Sequence, residues 1–263
     1  MRRPLIDLAG LAVVLVVLAF AGRMFNVGPL SSVVPPAQVT DPGEMLARSL
    51  QAVLDASAVH VAVTMDGTIP GALAGRPGQT VDLAGTVVAI DLRPHDAATR
   101  LHVESPSLAA HLDTVTSWDT AWYRTAADGA WTKGSIGVLS AGWGIDINPL
   151  TLVDRLRAYL ATADPQPTAT DVDCASASGI CHHIELAVGE EAGALVGAVL
   201  PEASRAALPP LTMSVNLDTD ASTLQPAHLD LDITSDDGTL HVHVAFDASR
   251  WDGPVVIEAP GGS

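Results

Sequence analysis

Apolar and polar positions alternate along most of the chain after residue 58, and that alternation predicts strands. Val59, Val61, Val63 and Met65 stand against His60, Ala62 and Thr64, a half-buried strand expected to stop at Asp66-Gly67. Val81 to Leu92 and Arg100 to Glu104 continue the pattern, with Leu101 and Val103 opposing Arg100, His102 and Glu104. Ala121 to Thr125 and Trp131 to Lys133 flank Ala126-Ala127-Asp128-Gly129, which predicts a hairpin with aromatic residues on both arms. In the last third, Ile184, Leu186 and Val188 form one strand, and Leu211, Met213, Val215 and Leu217 a second. Leu229, Leu231 and Ile233 follow against His228, Asp230, Asp232 and Thr234. After an Asp236-Asp237-Gly238 turn come Leu240, Val242, Val244 and Phe246 against His241, His243 and Ala245.

Three stretches switch to helical spacing. Asp41-Pro42-Gly43-Glu44 reads as a helix start, with Asp capping, Pro in the first turn and Glu44 completing a capping box. Met45, Leu46, Leu50, Val53 and Leu54 then share one face of a helix from Glu44 to Ala56. Asn148-Pro149 opens a second helix, striped by Leu150, Leu152, Val153, Leu156, Tyr159 and Leu160 and ended by Pro165 and Pro167. Glu190 to Ala207 reads as a third, broken at Pro201. Strands with one wet face plus a few helices predict an α+β domain: an antiparallel sheet packing helices on its apolar side.

The N-terminus departs from this pattern. Met1-Arg2-Arg3 precedes an apolar run from Leu8 to Gly22 that ends in Ala19-Phe20-Ala21, the small-x-small signature of signal-peptide cleavage. Residues 1–22 are therefore expected to be either a signal peptide cut after Ala21 or an uncleaved membrane anchor with the arginines inside. Residues 23–41, with Gly28-Pro29, Ser31-Ser32 and Pro35-Pro36, read as a linker, which leaves 42–263 as one folded domain.

Composition narrows the function. Thirty acidic residues against thirteen Lys and Arg give the 263-residue chain a net charge of −17, and Lys133 is its single lysine. Nucleic acid is excluded as a partner, since phosphate neutralisation needs clustered basic residues. The chain is 48% hydrophobic but only 4% aromatic, so small side chains must supply its apolar mass.

Cys174 and Cys181 are the two cysteines, and in an exported chain a pair this close is expected to form a disulfide. A zinc site formed by these cysteines with His182 and His183 is disfavoured, because adjacent histidines on a strand point to opposite faces. His241 and His243 share a strand face that could lie beside His228, Asp230 and Asp232; we read them as the polar alternates of amphipathic strands. Ser135 follows a glycine but lacks the strand-turn-helix setting of a nucleophile elbow. No phosphate loop, dinucleotide fingerprint or calcium loop is present. No catalytic residue, metal-ligand set or cofactor is assigned, and the sequence reads as a non-enzymatic binding protein.

Two phrases carry a family resemblance. One is the hairpin Thr120-Ala-Trp-Tyr-Arg-Thr-Ala-Ala-Asp-Gly-Ala-Trp-Thr-Lys133. The other is the ending Phe246-Asp-Ala-Ser-Arg-Trp251-Asp-Gly-Pro254-Val-Val-Ile-Glu-Ala-Pro260. With the order of elements around them, they make the chain resemble the LppX/LprG group of cell-envelope lipoproteins, which share the fold of the lipoprotein carrier LolA. The resemblance implies an unclosed antiparallel β half-barrel wrapped over a few α-helices, with an apolar cavity between them for lipid or lipoglycan acyl chains. On that expectation the cavity candidates are Val61, Val63, Leu101, Val103, Ile184, Leu186, Leu195, Val199, Met213, Val215, Leu231, Ile233, Val242 and Val244. The chain departs from the group in having Ala21-Gly22-Arg23 where a lipid-modified cysteine normally stands. Contact with the cell membrane would then come through the N-terminal segment. The same fold also serves envelope sensors that bind a partner protein, and a purely structural envelope domain is the third reading.

Overall fold

The computed structural model describes residues 39–260 apart from 75, 97, 119, 136–165, 175–178, 190–191, 198–204 and 207. The chain enters through a helix, α1 (Pro42–Asp55), whose Asp41 carboxylate accepts the Glu44 N–H at 2.7 Å. Glu44 does not complete the expected capping box; its carboxylate takes Arg48 one turn on, at 2.7 Å. Met45 and Val53 bury their side chains and Leu46 half-buries.

Among the described residues, everything else of size is strand. β1 (Val59–Pro70), β2 (Thr80–Asp82), β3 (Thr86–Arg93), β4 (Ala98–Ser105) and β5 (Ala110–Ser117) precede the aromatic hairpin of β6 (Thr120–Arg124) and β7 (Thr132–Ser135). Then come β8 (Thr168–Asp173), β9 (Ile180–Val188), a short helix α2 (Ala192–Gly197), β10 (Leu211–Asp220), β11 (Pro226–Ser235) and β12 (His241–Ser249). All pair antiparallel in one 12-stranded sheet of order β7-β6-β5-β4-β3-β1-β12-β11-β10-β9-β8, with β2 added at the end of β1. β7 and β8 stand at opposite ends of that order, so among the described residues the sheet is unclosed. The first and last strands, β1 and β12, meet in its middle. α1 lies against β11 and α2 against β10.

Several expected boundaries move. β1 does not stop at Asp66-Gly67 but runs through it to Pro70. Gly67 takes φ +112°, and a Cβ there would stand 2.0 Å from the carbonyl oxygen of His241 on the neighbouring strand. The glycine permits a close approach of two backbones inside a strand rather than ending it. The stretch Val81 to Leu92 is two strands, because Asp82 accepts the Ala84 N–H at 2.9 Å and Gly85 turns the chain at φ +74°. Strand β5 was not anticipated at all. The helix expected after Pro149 lies outside the described residues, as do residues 1–38; of the helix expected over Glu190 to Ala207, the described part is α2 and a turn at Arg205.

Candidate functional site

Directly opposed residues of an antiparallel pair point to the same face. The register therefore lays out the two surfaces of the sheet row by row. One inner row reads Ala169, Ile184, Leu217, Leu229, Phe246, Val63, Val88, Val103, Leu112, apolar without interruption from β8 to β5. Beside it on β9 to β1 runs Leu186, Val215, Leu231, Val244, Met65, and beyond that Val188, Met213, Ile233, Val242. On the other flank, Ala248, Val61, Ile90 and Leu101 continue to Thr114 and Tyr123.

The structure thus places every strand residue expected to line a lipid cavity on one face of the sheet. Val61, Val63, Leu101, Val103, Ile184, Leu186, Met213, Leu231, Ile233, Val242 and Val244 are buried there, and Val215 is half-buried. Leu195 is buried on α2, the helix that lies against β10. Val199 lies outside the described residues. Among the described residues Phe246 is the only buried aromatic side chain; the rest of the core is aliphatic, with Met65 its largest fully buried member. Two buried hydroxyl pairs interrupt it: Thr86 of β3 with Ser105 of β4 at 2.7 Å, and the Ser49 hydroxyl of α1 with the Thr219 hydroxyl of β10 at 2.9 Å, the last two residues wholly buried. The Ser49–Thr219 bond satisfies two groups that would each be costly alone, and it fixes α1 on the sheet.

The outer face has the opposite chemistry. Its central row reads Thr170, His183, Asp218, His228, Asp247, Ala62, Ala89, His102, Asp113, Arg124. Imidazole and carboxylate meet across strands at His183–Asp218 (2.6 Å), His228–Asp247 (2.8 Å) and His102–Asp113 (2.7 Å). His60–Asp91 (2.7 Å) and His243–Asp232 (2.9 Å) repeat the pairing in neighbouring rows. The hydrogen bond that His183 donates to the Asp218 carboxylate raises the His183 pKa above the ordinary imidazole value. Burial opposes the same shift at His228, but Asp247 and Asp230 outweigh it. At Asp113 burial is likewise outweighed, here by His102, Arg124 and His111, and the carboxyl is held below the usual range.

β11 and β12 do pair, which brings His228, His243, Asp230 and Asp232 together as polar alternates. His241 faces Thr234 and Thr68 instead. Cys174 and Cys181 are joined in a disulfide, and their histidine neighbours diverge: His182 goes to Asp171 and His183 to Asp218. Sequence reasoning missed the grouping of His102, His111 and Asp113, because it depends on β5. The signal was present in the alternation of Leu112 with His111 and Asp113 after the Pro106-Ser107 turn.

An open antiparallel sheet with one continuous aliphatic face, one charged face and few helices is the half-barrel architecture expected from the two sequence phrases. No protein-family model and no curated protein matches the chain. Among solved structures it is similar to the Mycobacterium tuberculosis lipoprotein LppX, with a TM-score of 0.51 and 15% identity over 83% of this chain and 100% of that one. A LolA superfamily protein from Nitrosomonas europaea has a TM-score of 0.30 at 8% identity, over 83% of this chain and 96% of its own. An uncharacterized conserved protein from Thermus thermophilus has 0.36 at 9%, over 79% and 86%. The likeness to LppX is one of fold.

Proposed function

We propose that this protein is an extracytoplasmic, non-enzymatic carrier that binds lipid or lipoglycan acyl chains against the aliphatic face of its half-barrel, between sheet and helices. The observation that carries this reading is the uninterrupted apolar row from Ala169 to Leu112. A surface that wide, lined by aliphatic side chains with a single buried aromatic among the described residues, matches a flexible hydrocarbon better than a planar cofactor. The fold shared with LppX and the two resembling sequence phrases support the same reading. The disulfide favours an oxidising compartment. Residues 1–22 would serve as signal peptide or membrane anchor, and 23–41 as the linker that lets the domain reach away from the membrane. The whole chain carries a net charge of −17, and an acidic excess of that size repels the domain from anionic headgroups. Lipid extraction and native mass spectrometry of the purified protein test the proposal. Co-purifying acyl lipid supports it; an empty protein with no acyl-chain affinity overturns it.

A further inference from the structure

On the face of the sheet opposite the aliphatic one, four ligand-type residues occupy adjacent register positions on two strands. His102 and Glu104 on β4 stand directly opposite Asp113 and His111 on β5. His102 Nδ1 lies 2.7 Å from Asp113 Oδ1, and His111 Nε2 lies 3.0 Å from Asp113 Oδ2. The two imidazoles meet edge to face with centroids 5.3 Å apart. Glu104 reaches within 3.8 Å of His102 Nε2.

Among the described residues, His102, His111 and Asp113 are the one such group whose ligand atoms all lie within 4.8 Å of one another. The other histidines of this face are arranged differently. His228 and His243 also share one carboxylate, Asp230, at 3.0 and 3.4 Å, but each is tied by its Nδ1 to a further carboxylate, Asp247 and Asp232.

We propose that His102, His111 and Asp113 form a binding site for a borderline transition-metal dication of the Zn²⁺ class. Two imidazoles and a carboxylate are the donor set such ions favour, whereas Ca²⁺ and Mg²⁺ require oxygen ligands. Ligands around a tetrahedral zinc ion stand about 3.3 Å apart; here the two imidazoles lie 2.7 and 3.0 Å from the Asp113 carboxylate, and the three ligand atoms all lie within 4.8 Å of one another. Glu104 or water supplies the fourth position.

Charge favours a dication. Asp113 and Glu104 contribute two negative charges against one positive charge on Arg124, while Arg100, one step along β4, stands opposite Asp91. Arg124 Nε donates to Asp113 Oδ2 at 2.6 Å, which orients the carboxylate as a supporting partner does in established metal sites. On the other flank Ala89 and Val87 of β3 stand beside His102 and Glu104, and Val87 is 40% exposed, so the block is open to solvent on that side. The site does not depend on the lipid reading, because it lies on the opposite surface.

The test is titration of the chelator-treated full chain with Zn²⁺ by calorimetry, with Mg²⁺ and Ca²⁺ in parallel. About one equivalent of Zn²⁺ should bind saturably, and His102→Gln and His111→Gln should each weaken that binding by roughly tenfold or more. His243→Gln should leave it unchanged. Circular dichroism establishes that each variant folds. His111→Gln, which leaves the His102–Asp113–Arg124 row intact, carries the test if His102→Gln does not fold. Co²⁺ in place of Zn²⁺ should give visible absorption bands that both His variants abolish. Absence of saturable Zn²⁺ binding, or binding untouched by the His102 and His111 changes, overturns the assignment.

Discussion

Gly67→Ala should be among the most damaging single-methyl additions to this protein. The residue sits in β1 opposite Val242 of β12, in the pairing that joins the N-terminal and C-terminal halves of the sheet. At φ +112° an alanine is strained by about 1–3 kcal/mol before any contact is considered. Its Cβ would also stand 2.0 Å from the His241 carbonyl oxygen and 3.1 Å from the Val242 Cα. Those atoms are backbone, so relief requires the strands to part rather than a side chain to swing away. Parting them weakens the end of the β1–β12 ladder and the bond from Leu83 N–H to the Gly67 carbonyl, which is 2.8 Å long. At about 1 kcal/mol for each hydrogen bond lost, the total comes to about 3–5 kcal/mol, a large share of the roughly 5–15 kcal/mol that holds a typical domain folded. Urea denaturation followed by far-UV circular dichroism measures it. Gly78→Ala is the control: φ is +79° but nothing lies within 4 Å, so only strain of about 1–2 kcal/mol is expected. If Gly67→Ala costs no more than Gly78→Ala, the close approach of β1 to β12 is not what this position serves.

Stability should also depend on pH in a defined direction. The pKa values of His183 and His228 are raised in the folded state, so their contribution is complete below an unfolded value of about 6.5 and is lost as pH climbs through the raised folded values. Denaturant unfolding should therefore show a more stable protein at pH 6 than at pH 8, by about 0.5 kcal/mol for each pair, the usual size of a partly exposed ion pair. Asp218→Asn or Asp247→Asn should shrink the difference, and greater stability at pH 8 would refute the argument. Ser49→Ala should cost about 1–3 kcal/mol, because it strands the buried Thr219 hydroxyl. A double variant with Thr219→Val should recover part of that loss; no recovery would mean that the bond does not anchor α1 as described.

Much of the sheet could be read from alternation alone. The Leu211 to Leu217, Leu229 to Ile233 and Val242 to Phe246 patterns correspond to β10, β11 and β12, and each presents the face that alternation predicted. The failures have local causes. Gly67 looks like a turn because glycine in sequence does not distinguish a reversal from a close backbone approach. β5 escaped notice because His111, Asp113, Thr114, Thr116 and Ser117 dilute its apolar alternation to Leu112 and Val115, which point to opposite faces. Val115 stands on the outer face opposite Trp122 and is buried there, a placement that burial periodicity could not anticipate.

The outer histidine–aspartate rows were legible as polar positions but not as pairs, since pairing is set by the register between neighbouring strands, which alternation within one strand does not reveal. The resembling phrases prove architectural. Asp252 accepts the Ser57 N–H at 2.7 Å and its hydroxyl at 2.9 Å, tying the chain's end to the α1–β1 junction. In the hairpin, Arg124 covers the Trp131 ring at 5.0 Å and Lys133 covers Trp122 at 5.5 Å. Both phrases also reach the aliphatic face, through Phe246 and Ala248 of the ending and Tyr123 of the hairpin, so the resembling segments help build that face as well as the ends of the sheet.

The central claim is that this aliphatic face takes up hydrocarbon, and affinity against acyl-chain length tests it most directly. Delipidated protein is titrated with a series of single-chain lipids that share one headgroup. If the chain is buried, each added CH₂ contributes about 0.8 kcal/mol, so affinity should rise roughly fourfold per methylene until the available length is filled. Affinity that does not change with chain length, or no saturable binding at any length, would contradict the account.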